Sequence, residues 1–305
     1  MGGLLLSVQS AASQGVLWGI MTLGVFITFR ILNYADLTVD GSFALGGAVS
    51  AIIIAGGKEP LLSLFVALLA GLAAGAVTGI LNTKLKIPAI LSGILSMIAL
   101  YSINLTVMGG KANIAMLGLD TIFVKVQYLL PSSFNRAAES LSVGLAFAVV
   151  VITILYWFFG TQIGELIRAT GNNEYMVRAL GGNTDTMKIL GLMISNGLVA
   201  LSGGLVAQSQ GYADVGMGSG AIVIGLASVI IGEVIFGDRF NFYYKMASVV
   251  AGSVIYRVII AIVLRMGLKS TDLKLFTAII VAVALAIPVI KKPFIKPKIA
   301  ERKAR

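Results

Sequence analysis

The sequence has no cysteine and no histidine among its 305 residues. That removes disulfides, thiolate nucleophiles, zinc sites of the usual kind, haem held by histidine, and Ser-His-Asp catalysis. Charge is scarce too. Only 12% of residues are Asp, Glu, Lys or Arg, against about 25% in a soluble domain, too few to cover a water-facing surface. Proline is limited to six residues and aromatics to 8%. The phosphate-binding pattern G-x-x-x-x-G-K-[ST] does not occur, so ATP has no such loop to bind here. The first 29 residues carry no charged side chain. The basic start of a cleaved signal peptide is therefore missing, and the first apolar run reads as an anchor that stays.

What is present is apolar. The chain is 58% hydrophobic, its mean hydropathy is +0.97, and it holds 36 glycines. This is the composition of an all-α polytopic membrane protein with closely packed helices. Crossing about 30 Å of hydrocarbon takes roughly 20 helical residues. Uncharged stretches suited to that lie at 13–29, 42–56, 61–81, 88–108, 141–160, 189–209, 218–236, 244–264 and 275–290. The expectation is about nine spans, eight to ten, with the second and ninth short. A transmembrane domain would fill 1–290, and 291–305 would form a basic cytoplasmic tail.

The net charge of +10 would suggest nucleic acid in a soluble protein. Here it marks the cytoplasmic side of a bilayer, and no nucleic-acid partner is expected. With the C-terminus inside, fifteen Lys and Arg fall on the cytoplasmic side, including Arg30, Lys84, Lys86, Arg168, Arg178, Lys188, Arg239, Lys245 and seven in the tail. Seven fall outside: Lys58, Lys111, Lys125, Arg136, Arg265, Lys269 and Lys274. The expected topology is N-outside, C-inside. The outer loop 109–140 contains "DTIFVKVQYLLPSSF", which suits a short helix lying on the bilayer surface.

"GSFALGGAVSAIIIAGG" from Gly41 resembles "GSGAIVIGLASVIIGE" from Gly218, and at the same offset Ala74-Gly75 meets Ala251-Gly252. The expected topology runs the two copies in opposite directions. Inverted repeats with short, glycine-interrupted segments are typical of transporters. The first and sixth spans do not align convincingly. Gly71, Gly75 and Gly79 lie four apart on one helical face and read as a helix–helix contact.

Two polar stretches interrupt the apolar runs. The first, "NYADLTVDGSF", carries Asn33, Asp36, Thr38, Asp40 and Ser42. It reads either as a plain loop or as the unwound start, 36–42, of a short helix facing the solute pathway. At that depth irregular backbone needs shielding by protein or water, so the carboxylates should meet water, a helix N-terminus or a basic group. Asn196, Ser202 and Ser219 either face the same pathway or join helices by hydrogen bonds. Glu233 and Arg257 are charges within spans, which usually pair or line water. For them two readings stand: a mutual salt bridge, or snorkelling to an interface.

The second stretch is the cytoplasmic loop 161–188, "TQIGELIRATGNNEYMVRALGGNTDTMK". Residues 174–180 followed by Gly181-Gly182 suggest a short helix with a glycine cap, Gly171 suggests a turn, and the helix has little to pack on in its own chain. The loop resembles the permease subunits of ABC importers of the branched-chain amino acid/ribose/nucleoside type. The matching residues are Gly164, Arg168, Ala169, Gly171, Asn173, Ala179 and Gly181 of the pattern G-x-x-hydrophobic-R-A-x-G-x-N…A…G. "ADLTVDGSF" is similar to the Asp-Leu-Ser-Val-Gly-Ser-like segment of the sugar-transporting branch, with Asp40 as an acidic departure. Together with "IRATGNN" it looks most like a bacterial subgroup of which some members are associated with aromatic amino acid import.

The resemblance implies a membrane-embedded permease in the bacterial cytoplasmic membrane, with no cofactor and no enzymatic activity of its own. It implies ABC ATPase subunits that bind the loop, a second permease copy forming a homodimer, and an extracytoplasmic solute-binding lipoprotein. Gly164, Glu165, Arg168, Gly171, Asn173, Glu174, Arg178, Ala179 and Gly181 would form the ATPase-coupling loop. The alternative is an autonomous secondary transporter, for which Glu233 is the candidate ion ligand. A membrane enzyme lacks any gathered catalytic cluster.

Overall fold

Helix N-termini and glycines, more than hydropathy, decide how this chain is arranged. The computed structural model describes residues 2–129, 136–237, 241–267 and 272–291. The expected basic tail beyond Lys291, Arg239, and the end of the outer-loop helix past Leu129 lie outside the described residues. In chain order the helices are α1 (Gly2–Phe26, continuing as a π-helical turn Ile27–Ile31), α2 (Thr38–Ala55), α3 (Pro60–Thr83) and α4 (Ala89–Val107). A strand β1 (Asn113–Ala115) precedes α5 (Ile122–Leu129) and α6 (Arg136–Phe159). Then follow α7 (Gln162–Asn172), α8 (Glu174–Ala179), α9 (Thr184–Gln210), β2 (Tyr212–Asp214), α10 (Ala221–Phe236), α11 (Phe242–Arg265) and α12 (Leu273–Lys291).

Each apolar stretch expected to span falls on one of these helices. Seven of the described helices are long and apolar enough to cross a membrane: α1 with its π-turn, α2, α3, α4, α6, α9 and α11. Helix α10 is apolar but only 16 residues long. Helices α1, α2 and α9 form the centre, with 83, 78 and 78% of their apolar windows buried, while α3, α4, α6 and α11 bury only 28–39%. The outer helices expose large apolar side chains such as Leu61, Phe65, Ile98, Ile154 and Trp157, as a lipid-facing surface requires.

The two halves exchange partners. Helix α3 packs on α9 as α11 packs on α1, and α2 packs on α9 as α10 packs on α1. Likewise α2 meets α4 and α10 meets α12. The repeat seen around Gly41 and Gly218 therefore extends to α1 and α9, whose sequences have diverged past recognition. In lipid, burial of apolar surface does little to draw helices together, so close backbone packing takes over. A Cβ added at Gly71 would stand 2.3 Å from the Asn196 carbonyl, one at Gly75 2.2 Å from that of Leu192, and one at Gly79 2.9 Å from the Ile189 Cα. The glycine stripe of α3 is thus a backbone-to-backbone contact with α9. Buried hydroxyls reinforce the centre: Ser195 donates to the Gly24 carbonyl, Ser202 to that of Leu17 and Ser253 to that of Gly15, each at 2.8 Å.

Contacts between loops respect the sides assigned by charge. At one end β1 pairs antiparallel with β2, with Ile114 opposite Ala213. There Gln208 donates to Ser50, Ser63 and the Pro60 carbonyl and accepts from the Ile122 N–H. Lys125 bridges to Glu59 at that end too. At the other end lie α7, α8 and the ion pairs Arg30–Glu233 and Lys86–Asp185. No described ion pair joins loops assigned to opposite sides.

The α3–α9 contact gives a direct expectation. Gly75→Ala forces the two backbones apart, and overpacking of this kind costs about 1–3 kcal/mol. The purified protein should melt several degrees lower, while Gly56→Ala, whose new Cβ meets nothing closer than 3.4 Å, should not. Equal melting of the two variants contradicts the packing.

Candidate functional site

The site begins where α1 ends. Its last turn widens to a π-helix over Ile27–Ile31, a local form that concentrates at functional positions. The Leu32 N–H reaches the Ile27 carbonyl and the Tyr34 N–H the Thr28 carbonyl, both at 2.9 Å. Asn33 then takes φ +52°, a left-handed conformation that asparagine tolerates better than most side chains. The chain turns back into the protein through residues 32–37 and α2 starts at Thr38. The irregular segment thus begins and ends earlier than the expected 36–42. Asp40 and Ser42 lie inside α2, because Asp36 accepts the Thr38 N–H at 2.9 Å and starts the helix there.

Around that start the expected polar residues come together. Asp36 is 2% exposed. Its other oxygen accepts Asn196 Nδ2 at 2.7 Å, and Asn196 Oδ1 accepts the Ser42 hydroxyl at 2.7 Å. Thr38 pairs with Thr78 at 2.9 Å, and Thr78 donates to Ser96 at 2.7 Å. Tyr34 pairs with Ser92 at 2.7 Å, and Asn104 donates to the Gly41 carbonyl at 3.2 Å. Tyr34, Thr78, Ser92, Ser96 and Asn104 are thus site residues that sequence reasoning missed. The four-residue spacing of Ser92 and Ser96, which puts both on one face of α4, was the available signal. Ser202 lies elsewhere, buried between α9 and α1. Its helix-joining bond to Leu17 is the second of the two readings.

Asp40 does something different. Its Oδ2 accepts the Gly220 N–H and its Oδ1 the Ile222 N–H, both at 2.9 Å. These are N–H groups at the start of α10, which have no partner within their own helix. A carboxylate there also meets the positive end of the helix dipole. A Cβ at Gly218 would come within 1.9 Å of the Asp40 carbonyl, so only glycine allows the approach. The two repeat-related helices therefore meet start to start, and Ser219 sits exposed in the joining loop. Ser42 lies level with Asn196, near the middle of α9, so the junction is at membrane depth.

The intramembrane charges do not pair with each other. Glu233 bonds to Arg30, closing the α10 end onto the α1 end. The Arg257 guanidinium lies over the Trp18 ring, 4.0 Å from its centroid. Beside the Arg30–Glu233 bridge a cavity of about 730 Å³ is lined by Phe26, Phe29, Asn33, Arg168, Phe242 and Lys245, among others.

The segment 161–188 holds two helices where one was expected. Thr161 caps α7 by accepting the Gly164 N–H at 3.3 Å, Asn173 caps α8 through Met176 and Asn183 caps α9 through Thr186, as such residues do at helix starts. Gly181, at φ +84°, ends α8 as expected. Gly171 is not a turn. It lies within α7, where a Cβ would stand 1.8 Å from the Ile31 carbonyl, so its role is to seat α7 on the π-turn. Arg168 stacks on Phe242, 5.0 Å from the ring centroid.

Of the charges expected to reach a partner, Glu174 and Arg178 bond within the chain. Arg178 binds Glu174 at 2.7 Å, Asp185 at 3.0 Å and the Thr184 hydroxyl at 2.8 Å, and Lys188 binds Glu174 at 2.6 Å. Partial burial raises the Glu174 pKa, but Lys188 and Arg178 outweigh it, and the carboxyl sits below its usual value. What α8 offers outward is apolar: Tyr175 is 86% exposed, Leu180 80% and Met176 46%, while Val177 anchors it at 2%.

A buried polar seam between two exchanged halves, beside a cavity flanked by a helical loop, suits a membrane transport permease. The chain belongs to the family described as "Branched-chain amino acid transport system / permease component", which matches residues 7–287. It is 41% identical over 279 residues to the tyrosine transport system permease protein of Clostridioides difficile, covering 92% of this chain and 90% of that one. It is 26% identical over 196 residues to the ribose import permease protein RbsC of Escherichia coli, covering 64% of this chain and 56% of the relative. A chain of PsaBC from Streptococcus pneumoniae aligns over 91% of this chain and 89% of its own at a TM-score of 0.47 and 13% identity, too distant to locate a site.

Asp40→Ala leaves the first N–H groups of α10 without their acceptor. Amide exchange of Gly220 and Ile222 in the detergent-solubilised protein should accelerate about tenfold or more, while amides in the middle of α9 keep their rates. Unchanged exchange at both positions contradicts the junction.

Proposed function

We propose that this chain is the solute-conducting permease subunit of an ATP-driven importer, and that α7 and α8 couple it to a separate ATPase subunit. The observation that carries the reading is the apolar knob of Tyr175, Met176 and Leu180. An exposed tyrosine with apolar neighbours on a rigid support suits the centre of a protein interface. The network of Glu174, Arg178, Asp185 and Lys188 holds that knob fixed to α9. A push on α8 therefore reaches Asn196, thirteen residues into α9, and through it Asp36 and Ser42.

The solute moves along the seam at the α2 and α10 starts, where Asn33, Asp36, Thr38, Asp40, Ser42, Asn196 and Ser219 lie. A second permease copy completes the pathway, and an extracytoplasmic binding protein delivers the solute. The C-terminus is cytoplasmic, on the side holding most of the Lys and Arg. The solute is an amino acid, a reading supported by the identity to a tyrosine transport permease. An autonomous secondary transporter needs an intramembrane acid free to take an ion. Glu233 is bonded to Arg30, and Asp36 and Asp40 are occupied by N–H donors, so the ATP-driven reading is favoured.

The test replaces the knob. Tyr175→Ser with Leu180→Ser should cut retention of the ATPase subunit and ATP-driven uptake in reconstituted vesicles by about tenfold or more, with normal insertion and melting. Retention and uptake at parental levels reject α8 as the docking element.

A further inference from the structure

Arg257 lies within α11, and among the described residues no ion pair includes it. Its Nε is buried without a hydrogen-bond partner, and so is Nε1 of Trp18, the ring on which it stacks. Trp18 in turn packs on Phe43, with ring centroids 4.7 Å apart. An arginine in a membrane interior is costly and persists where it has a task. What this pair lacks is an acceptor bearing negative charge.

The position of the pair follows from packing. In the hairpin of α10 and α11, Gly252 lies against the Ser228 carbonyl and Gly232 against that of Ser248. Arg257 lies five residues beyond Gly252, toward the end of α10 that Asp40 caps. Phe43 lies one turn beyond Asp40 on α2. Arg257, Trp18 and Phe43 thus stand at the level of the junction. No described ion pair joins Asp40 to Arg257; the Asp40 oxygens receive the N–H groups of Gly220 and Ile222.

We propose that Arg257 and Trp18 form an anion subsite in the pathway that takes the carboxylate of the passing solute, with Phe43 stacking behind the indole. A guanidinium presents paired donors that match a carboxylate's two oxygens, and the indole N–H adds a third donor. The subsite rests on the permease reading and adds what it leaves open: the group by which the pathway recognises its solute. It favours carboxylate-bearing solutes over the corresponding amines. A lysine cannot replace this arginine, because its point charge lacks the planar fork.

The sequence supplies its own reporter. Only two tryptophans occur, Trp18 and Trp157, and Trp157 is 72% exposed on the lipid-facing surface. In the full chain carrying Trp157→Phe, purified in detergent, Trp18 emission is titrated with phenylpropionate, L-phenylalanine and phenethylamine. The first two carry a carboxylate and the third does not. Both carboxylates should give a saturable change and phenethylamine none. Arg257→Gln and Arg257→Lys should each weaken the response about tenfold or more, and Arg257→Lys serves if Arg257→Gln does not fold. An equal response to phenethylamine, a response that survives both arginine variants, or none to either carboxylate overturns the subsite. Uptake by the assembled complex separates the two readings. A silent Trp18 beside intact ATP-driven uptake removes the subsite alone. Loss of ATPase coupling beside an intact carboxylate response removes the importer reading alone.

Discussion

The Asp40 carboxylate, received by the first N–H groups of α10, is the contact on which the rest of the arrangement depends. Two helices that begin in the interior of a membrane protein each expose donors that lipid cannot satisfy. Asp36 answers this need at the start of α2, and Asp40 answers it across the repeat at the start of α10. Once the two starts are joined, α2 and α10 run away from each other. The exchange of α3 onto α9 and α11 onto α1 then follows. The glycines at 46, 75, 203 and 218 make the approach sterically allowed, since each brings two backbones closer than any side chain would permit.

The proposed function grows from the same contact: a fully packed apolar centre would conduct nothing. This one carries a line of hydroxyl, amide and carboxylate groups from Tyr34 and Ser92, through Thr38 and Thr78, to Asp36, Asn196 and Ser42. Most members are bonded within the seam, which keeps its shape defined. The π-turn and Gly171 connect that seam to α7, and the Glu174–Arg178 network connects α8 to α9. In the proposed coupling, a force applied at the exposed knob has two rigid routes into the membrane.

Much of this was legible beforehand, for physical reasons that can be named. Charge scarcity and run length located the helices, because a bilayer sets both. The stretch "NYADLTVDGSF" announced a break at membrane depth, and its carboxylates met a helix N-terminus, as shielding demanded. What escaped the reading depends on three-dimensional partners. Gly171 looked like a turn because glycine has several uses, and only the neighbouring Ile31 carbonyl selects close approach. Glu174 and Arg178 looked like partner-binding charges, yet Asp185, Thr184 and Lys188 were near enough to take them. Glu233 has its partner Arg30 in the other half of the repeat, 203 residues away. No local pattern reveals such a distance.

In the proposed transporter the break after α1 opens to water at membrane depth on the cytoplasmic route. Because the chain has no cysteine, a single one reports cleanly. Ala35 is exposed beside the buried Asp36. In inside-out vesicles holding the assembled transporter, Ala35→Cys should react with a charged, membrane-impermeant thiol reagent, and the modification should block uptake. Failure of Ala35→Cys to react, while a cysteine at the exposed Lys84 reacts normally, would contradict the account.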